Sequence, residues 1–175
     1  MKEPENPETL LACVPVDNSS PKRRVALSRS AHFGIHPVAY GGDRASTNDP
    51  LSRAALDPGL LEMITSPDYQ AKTRASKVTA QEAAALPVAM RNLKKTSDAG
   101  ILVALGTDSS ATPIRVQGFA EHMELALMVQ AGLTPLQVTS VATKNGAQLL
   151  HVEDQYGTLE PGKKANFIVL AKDPS

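Results

Sequence analysis

The sequence of 175 residues contains a single cysteine, Cys13, no tryptophan and only 3% aromatic residues. One cysteine excludes a disulfide within the chain. Its apolar neighbours Ala12 and Val14 favour a small buried side chain over a reactive nucleophile. With so few aromatic residues, a core must be built mainly from leucine, valine, alanine and methionine. These features are compatible with a globular protein, and they exclude a disulfide-stabilised scaffold.

An excess of one charge and any long apolar run are also absent from the sequence. Eighteen lysine and arginine residues balance eighteen aspartate and glutamate residues, so the chain lacks the electrostatic footprint of a nucleic-acid-binding protein. No run approaches the roughly 20 apolar residues that span a bilayer, and the first residues do not form a signal peptide. We therefore predict no nucleic-acid or membrane partner and take the cytoplasm as the default location.

The secondary-structure signals are strongest from residue 79 onward. Thr79 and Glu82 have the spacing of a capping box, which predicts a helix that begins at Thr79. Gly100 is a typical residue to end this helix. Residues 101–105 are apolar at every position and bounded by glycines, a pattern typical of a buried parallel strand.

Other patterns predict elements on both sides of this strand. Thr134 and Gln137 form a second capping pattern, and Pro135 suits the first helical position between them. The remaining predicted elements are short strands at 14–16 and 24–27, an edge strand at 33–40, a short helix within 50–64, helices over 118–131 and from residue 134 to about 150, and strands near 157–160 and 166–170 joined by a turn at 161–162.

Asp108 is the strongest candidate for chemistry, because it lies two residues beyond Gly106 at the end of the predicted buried strand. In parallel α/β folds, ligands bind beyond the carboxyl ends of strands. A carboxylate there could bind a divalent cation or accept a proton from a metal-bound water. Asp108 could also simply cap the following turn, and the short string Gly106–Ser109 does not decide between these roles.

Three histidines are secondary candidates. His122 begins the helix after the Asp108 loop and could bind substrate, although its neighbour Glu121 also fits the ordinary preference of a helix N-terminus for acidic residues. His32 and His36 could form half of a metal site on one side of an extended segment.

A longer string resembles the amidohydrolase superfamily, and imidazolonepropionase-related metal-dependent hydrolases are the nearest type. The resemblance covers about residues 80–174 and is carried by the segments 92–109, 122–125, 131–135, 142–147 and 157–170. It implies an α/β fold, namely the C-terminal portion of a (β/α)8 TIM-type barrel with strands of a small β-sandwich domain. The implied divisions are a poorly defined segment 1–78, the last helix–strand–helix units of the barrel at 79–152, and strands returning to the sandwich at 153–175.

The resemblance also implies a chemistry. Asp108 would bind a divalent metal, expected to be Zn²⁺ in the complete enzyme, and would shuttle a proton during hydrolysis of an amide or cyclic amide in a small-molecule substrate. The His-x-His motif of the family is missing, and His32 and His36 do not reproduce it. One aspartate cannot hold zinc, which normally takes at least three protein ligands.

We therefore expect the chain to be an incomplete fragment that is inactive and lacks a full metal shell by itself. A non-catalytic remnant or association module with the same partial fold and no metal is the alternative hypothesis. A small intact enzyme of another class is a third. The oligomeric state is left open by the sequence.

Overall fold

The computed structural model describes residues 13–15, 24–28, 49–107, 109 and 116–173. Within these ranges, no helix is long and apolar enough to cross a membrane. The strands and helices in chain order are β1 (Cys13–Pro15), β2 (Arg24–Ser28), α1 (Pro50–Ala55), α2 (Pro58–Thr65), α3 (Pro67–Ala75), α4 (Lys77–Asp98), β3 (Leu102–Leu105), α5 (Phe119–Gln130), α6 (Pro135–Ala142) and α7 (Lys144–Leu149).

The three strands form one sheet in the order β1–β2–β3. β1 pairs antiparallel with β2, whereas β2 and β3 are parallel, with Val25 opposite Leu102 and Ser28 opposite Leu105. A parallel pair needs a long crossover connection, and helices α1–α4 lie between these two strands in the chain. The predicted parallel strand at 101–105 is therefore confirmed, and the short strands predicted at 14–16 and 24–27 correspond to β1 and β2. The strand predicted at 33–40 lies outside the described residues.

β3 contributes to the largest hydrophobic cluster formed by the described residues. Val103 is 2% exposed, and it packs with side chains from α4, α5 and α6, of which the fully buried members include Leu93 and Met128. Leu133 follows α5 and closes the same cluster. The strand is buried against α4, which precedes it in the chain, and against α5 and α6, which follow it. This packing fixes the position of the residues that come after the strand.

Helix α4 begins earlier than its sequence pattern predicts. The helix starts at Lys77, with Ser76 in the capping position, so the prediction that Thr79 caps it is wrong. Thr79 lies inside the helix, is only 6% exposed, and its hydroxyl has no hydrogen-bond partner within the described part of the chain. The helix therefore begins two residues before Thr79, whose side chain is buried and not in a position to cap it. The predicted end is confirmed, because Gly100 follows the helix with φ of 70°.

The predicted helix from Thr134 to about Leu150 is two helices rather than one. Its start is confirmed by two hydrogen bonds. The backbone N–H of Gln137 donates to Thr134 Oγ1 at 3.2 Å, and the backbone N–H of Thr134 donates to Gln137 Oε1 at 2.8 Å. The chain then breaks at Thr143, which has φ of −122° and ψ of −81°. Beyond the break, Asn145 Nδ2 donates to the carbonyl oxygen of Val103 in β3 at 2.7 Å. Such a contact between distant segments cannot be inferred from helical periodicity.

The C-terminal strands are not formed in the described residues 153–173. The predicted turn is present, since the Lys163 amide donates to the Glu160 carbonyl at 3.2 Å and Gly162 has φ of 90°. The apolar segment 166–170 is in irregular conformation, however, and Ile168 is 86% exposed. A strand requires a partner for its backbone hydrogen bonds, and no described residue supplies one here. The assignment of 153–175 to a β-sandwich domain remains a prediction.

Candidate active site

The residues on either side of Asp108 lie at the carboxyl end of β3. Thr107 follows the buried strand and is 6% exposed, and Ser109 is partly buried. The Ser109 backbone amide donates to Thr107 Oγ1 at 3.3 Å, so the two residues are in direct contact. Asp108 itself lies outside the described residues, as do His32 and His36. The catalytic and metal-binding roles of these three residues therefore stay predictions.

Glu121, in the first turn of α5, is the polar centre of this region. Its Oε1 accepts hydrogen bonds from Thr107 Oγ1 at 2.8 Å and from Ser109 Oγ at 2.6 Å. Its Oε2 accepts a third hydrogen bond from the Gly118 amide at 2.6 Å. The carboxylate thus joins both neighbours of Asp108 to the N-terminus of α5, where the helix dipole also favours a negative charge.

Burial and hydrogen bonding act in opposite directions on the pKa of Glu121. Partial burial raises the pKa. Hydrogen bonds lower it by a larger amount in total, and they come from the hydroxyls of Ser109 and Thr107 and from the backbone amides of Glu121 and Gly118. The net effect is a pKa below the ordinary value for glutamate. The side chain is therefore a carboxylate at neutral pH, which suits a group that only accepts hydrogen bonds.

Sequence reasoning placed Glu121 only as a favourable charge at a helix N-terminus. The sequence also contains a pattern that indicates a hydrogen bond between Glu121 and the start of its helix. Glu121 is three residues after Gly118, which is the spacing at which a side chain reaches back to the capping amide. The two hydroxyls come from residues 14 and 12 positions earlier, and only the tertiary structure brings them to the same oxygen.

His122 is exposed on the first turn of α5. Its Nδ1 lies 2.7 Å from the Gly118 carbonyl oxygen. Because that oxygen can only accept, Nδ1 must carry the proton in this contact. Substrate binding by His122 remains a prediction.

Metal ligands are not gathered in the described part of the chain. Among those residues, no three histidine, cysteine, aspartate or glutamate side chains lie together in a way that could hold a metal ion. The described side chains therefore do not by themselves fit the zinc site that the sequence predicts for the complete enzyme.

A cavity of about 290 Å³ opens elsewhere on the described surface. It lies at the amino end of β3, beside Ile101 and Val103, and α6 forms its other wall. A strand rises about 3.3 Å per residue, so four residues separate Val103 from Thr107 by roughly 13 Å. Active sites of barrel enzymes lie at the carboxyl ends of the strands. We therefore place the candidate site at Thr107–Ser109 and not in this cavity.

The model for the amidohydrolase family matches residues 32–175. The chain belongs to the amidohydrolase family. Membership implies a TIM-barrel-type fold, with which the parallel pair β2–β3 and the helices between its strands agree.

The curated relatives include proteins named as deaminases and one named as a hydrolase. The chain is 33% identical over 139 residues to 5-methylthioadenosine/S-adenosylhomocysteine deaminase of Teredinibacter turnerae, covering 69% of this chain and 31% of that protein. It is 40% identical over 91 residues to the Bacillus cereus protein of the same name, covering 48% and 20%. It is 34% identical over 77 residues to the S-triazine hydrolase of Gordonia rubripertincta, covering 41% and 16%. The chain thus spans about a third or less of the length of these relatives.

Proposed function

We propose that this amidohydrolase-family chain carries the Asp108 end of an active site that hydrolyses carbon–nitrogen bonds other than peptide bonds. The observation that supports the proposal most directly is the carboxyl end of β3, where Thr107 and Ser109 each donate a hydrogen bond to Glu121. A strand end of this kind is where barrel enzymes place their catalytic groups. Asp108, between the two held residues, is the group proposed to act.

The role proposed for Asp108 is that of a proton-transfer group. During hydrolysis, the carboxylate would accept a proton from the attacking water and deliver it to the departing nitrogen. The carbon–nitrogen bond breaks as the carbon–oxygen bond forms, and the products are the carbonyl compound and an amine or ammonia. General acid–base catalysis of this kind contributes about 10²–10⁴-fold to a rate.

A divalent metal, expected to be zinc, is part of the proposal through family resemblance. The ion would supply a Lewis acid for the attacking water when bound. Asp108 is the one ligand proposed with a structural rationale, and His32 and His36 are weaker candidates. The described residues do not form a metal shell, and the proton transfer proposed above is assigned to Asp108.

The names of the relatives favour a particular substrate class. Relatives named as deaminases of 5-methylthioadenosine and S-adenosylhomocysteine suggest that the bond broken here joins an amino group to a nitrogen heterocycle. The substrate would then be a small molecule with an exocyclic amine, and ammonia would be the product.

The test is ammonia release from 5-methylthioadenosine and S-adenosylhomocysteine by the wild-type chain and by Asp108→Asn, with bound zinc measured in both. The proposal departs here from the expectation, drawn from the sequence, that the chain is inactive by itself: we expect slow, zinc-dependent release that the substitution lowers by at least about 10²-fold. Asp98→Asn is a matched control, because Asp98 is an exposed partner of Lys94 in α4. An Asp108→Asn variant that keeps both zinc and full activity would contradict the proposal.

A non-catalytic association module is the second candidate function. It is favoured by the exposed apolar residues of the C-terminal segment, such as Ile168 at 86% and Val169 at 83% exposure. A folded chain that binds no zinc and releases no ammonia, but associates through this segment, would establish this alternative.

A further inference from the structure

The cavity at the amino end of β3 has the size and lining of a small-molecule site. Its volume of about 290 Å³ is close to the lower end of the roughly 300–1,000 Å³ that is typical of such sites. Val103 and Val141 line it and are 2% and 4% exposed, whereas Leu136 lines it and is 65% exposed. A cavity of this size with buried apolar side chains suits a ligand built on a single ring.

The lining of the cavity is neutral. Besides the apolar side chains, it consists of the serines Ser97 and Ser140 and the side-chain amides Gln137 and Asn145. Among the described residues that line it, none carries a formal charge. A charged ligand would lose water on entering without gaining a partner of opposite charge, which is costly. The lining therefore favours a neutral ligand over a charged one.

The orientations of the two side-chain amides are fixed by their backbone partners. Asn145 Nδ2 donates to the Val103 carbonyl oxygen at 2.7 Å, and a carbonyl oxygen can only accept. Gln137 Oε1 accepts from the Thr134 backbone N–H at 2.8 Å, and a backbone N–H can only donate. The chemistry of the two partners thus identifies the nitrogen of one amide and the oxygen of the other.

These contacts leave an acceptor on one amide and donors on the other. Asn145 retains its Oδ1 oxygen and one N–H, and Gln137 retains both N–H groups of Nε2. A primary amide offers the matching groups, because its NH₂ group donates and its carbonyl oxygen accepts. The hydroxyls of Ser97 and Ser140 can donate or accept, so they are compatible with the same ligand.

We infer that this cavity is a second ligand site, which binds a small neutral molecule in which a primary amide is attached to an apolar ring. The ring would lie against Val103 and Val141, and the amide would bind Asn145 and Gln137. The site is at the opposite end of β3 from Thr107, so the inference does not depend on the hydrolysis proposed there.

The test is an NMR titration of the ¹⁵N-labelled chain with benzamide and, as the matched charged probe, with benzoate. Benzamide should bind saturably and shift the side-chain amide signals of Asn145 and Gln137, while the signal of the exposed Asn166 stays in place. Benzoate has the same ring, but it should bind at least about 10-fold more weakly because its charge meets no cation. Equal binding of the two probes, or no shift at Asn145 and Gln137, would overturn the inference.

A pair of phenylalanine variants tests the location of the site. Ser140→Phe places a ring at the cavity and should weaken benzamide binding by at least about 10-fold through steric overlap. Thr139→Phe adds the same ring at the neighbouring exposed position of α6, which does not line the cavity, and should leave binding unchanged. Wild-type binding by Ser140→Phe would overturn the inference.

Gln137→Glu tests the assigned polar contact. A glutamate keeps an oxygen that accepts from the Thr134 backbone N–H, so the start of α6 is retained while the N–H donors of Gln137 are lost. Benzamide binding should weaken by about 3–10-fold, the usual effect of one hydrogen bond. Melting temperatures of all the variants distinguish loss of binding from loss of structure. Undiminished binding by a folded Gln137→Glu variant would contradict the assigned amide contact.

Discussion

At the scale of single residues, the two predicted capping threonines have opposite surroundings. Thr134 accepts a hydrogen bond from the Gln137 amide at the start of α6. Thr79 is buried within α4, and its hydroxyl has no partner among the described residues. The same local sequence signal therefore corresponds to a stabilising group in one helix and an unsatisfied polar group in the other.

This difference predicts opposite effects of the same substitution. Thr134→Val should lower the free energy of unfolding by about 1 kcal/mol, because it removes the cap of α6. Thr79→Val should cause no loss, and a gain is expected, because it removes a buried hydroxyl without a partner. Denaturant unfolding of the two variants beside the wild type measures both values. If Thr79→Val lowered the free energy of unfolding as much as Thr134→Val does, Thr79 would have to act as a helix cap, contrary to the structure.

Glu121 should make the stability of the protein depend on pH. Its pKa is lower in the folded chain than in the unfolded chain, so its stabilising contribution is complete above the unfolded value and is lost as the pH falls through the folded value. We expect Glu121→Gln to cost about 1–2 kcal/mol at pH 7, after allowing for solvent screening.

The measurement is the difference in unfolding free energy between the wild type and Glu121→Gln from pH 7 down to pH 3. The difference should be largest at neutral pH and should shrink below pH 5. Glu153→Gln serves as the control for removal of a carboxylate from an exposed position. If the unfolding free energy of the wild type exceeded that of Glu121→Gln by the same amount at every pH in this range, the hydrogen bonds assigned to the Glu121 carboxylate would be contradicted.

At the scale of secondary-structure elements, the segment after α7 packs closely against that helix. Gly157 has φ of 92°, and a Cβ atom added there would lie 2.7 Å from the Ala147 Cβ and 3.0 Å from the Lys144 Cα. Gly162 has nearly the same φ, 90°, but a Cβ there would meet nothing within 4 Å. The two glycines thus share a backbone conformation and differ in their neighbours.

Alanine substitutions at these two positions separate strain from crowding. Gly162→Ala should cost about 1–2 kcal/mol, the penalty for a left-handed conformation. Gly157→Ala should cost a further 1–3 kcal/mol or so, because the methyl group overlaps α7. Thermal unfolding of both variants gives the difference. If the two variants lost the same amount of stability, the segment after α7 would not pack on that helix as closely as the structure indicates.

At the scale of the whole molecule, the C-terminal apolar segment is the most exposed apolar feature among the described residues. Leu159, Ile168 and Val169 are between 75% and 86% exposed. An extended apolar segment with unpaired backbone groups is a template for pairing with another chain. Its exposure should therefore affect the behaviour of the protein in solution.

We predict that the chain self-associates through this segment. Ile168→Lys should shift the sedimentation profile toward monomer without lowering the melting temperature, because the residue makes little contact in the folded chain. Gln155→Lys adds the same charge at another exposed position and should leave association as in the wild type. Equal association in all three proteins would exclude the segment as the cause.

The sequence alone determined those features that depend on a few neighbouring residues. These include the buried strand at Leu102–Leu105, the end of α4 at Gly100, the cap of α6 at Thr134 and the turn at Gly162. Local patterns suffice there because a turn, a cap or a short apolar run is defined by contacts within about four residues. The family was indicated in the same way, by a series of such segments in order.

Only the tertiary structure decided the features that depend on contacts between distant segments. Helix α4 starts two residues before Thr79, whose side chain is buried, and strand formation at 166–170 required a partner that no described residue provides. The hydrogen bonds of Glu121 with Thr107 and Ser109 join residues more than ten positions apart. A sequence pattern records which groups can form hydrogen bonds, but folding determines which of them meet.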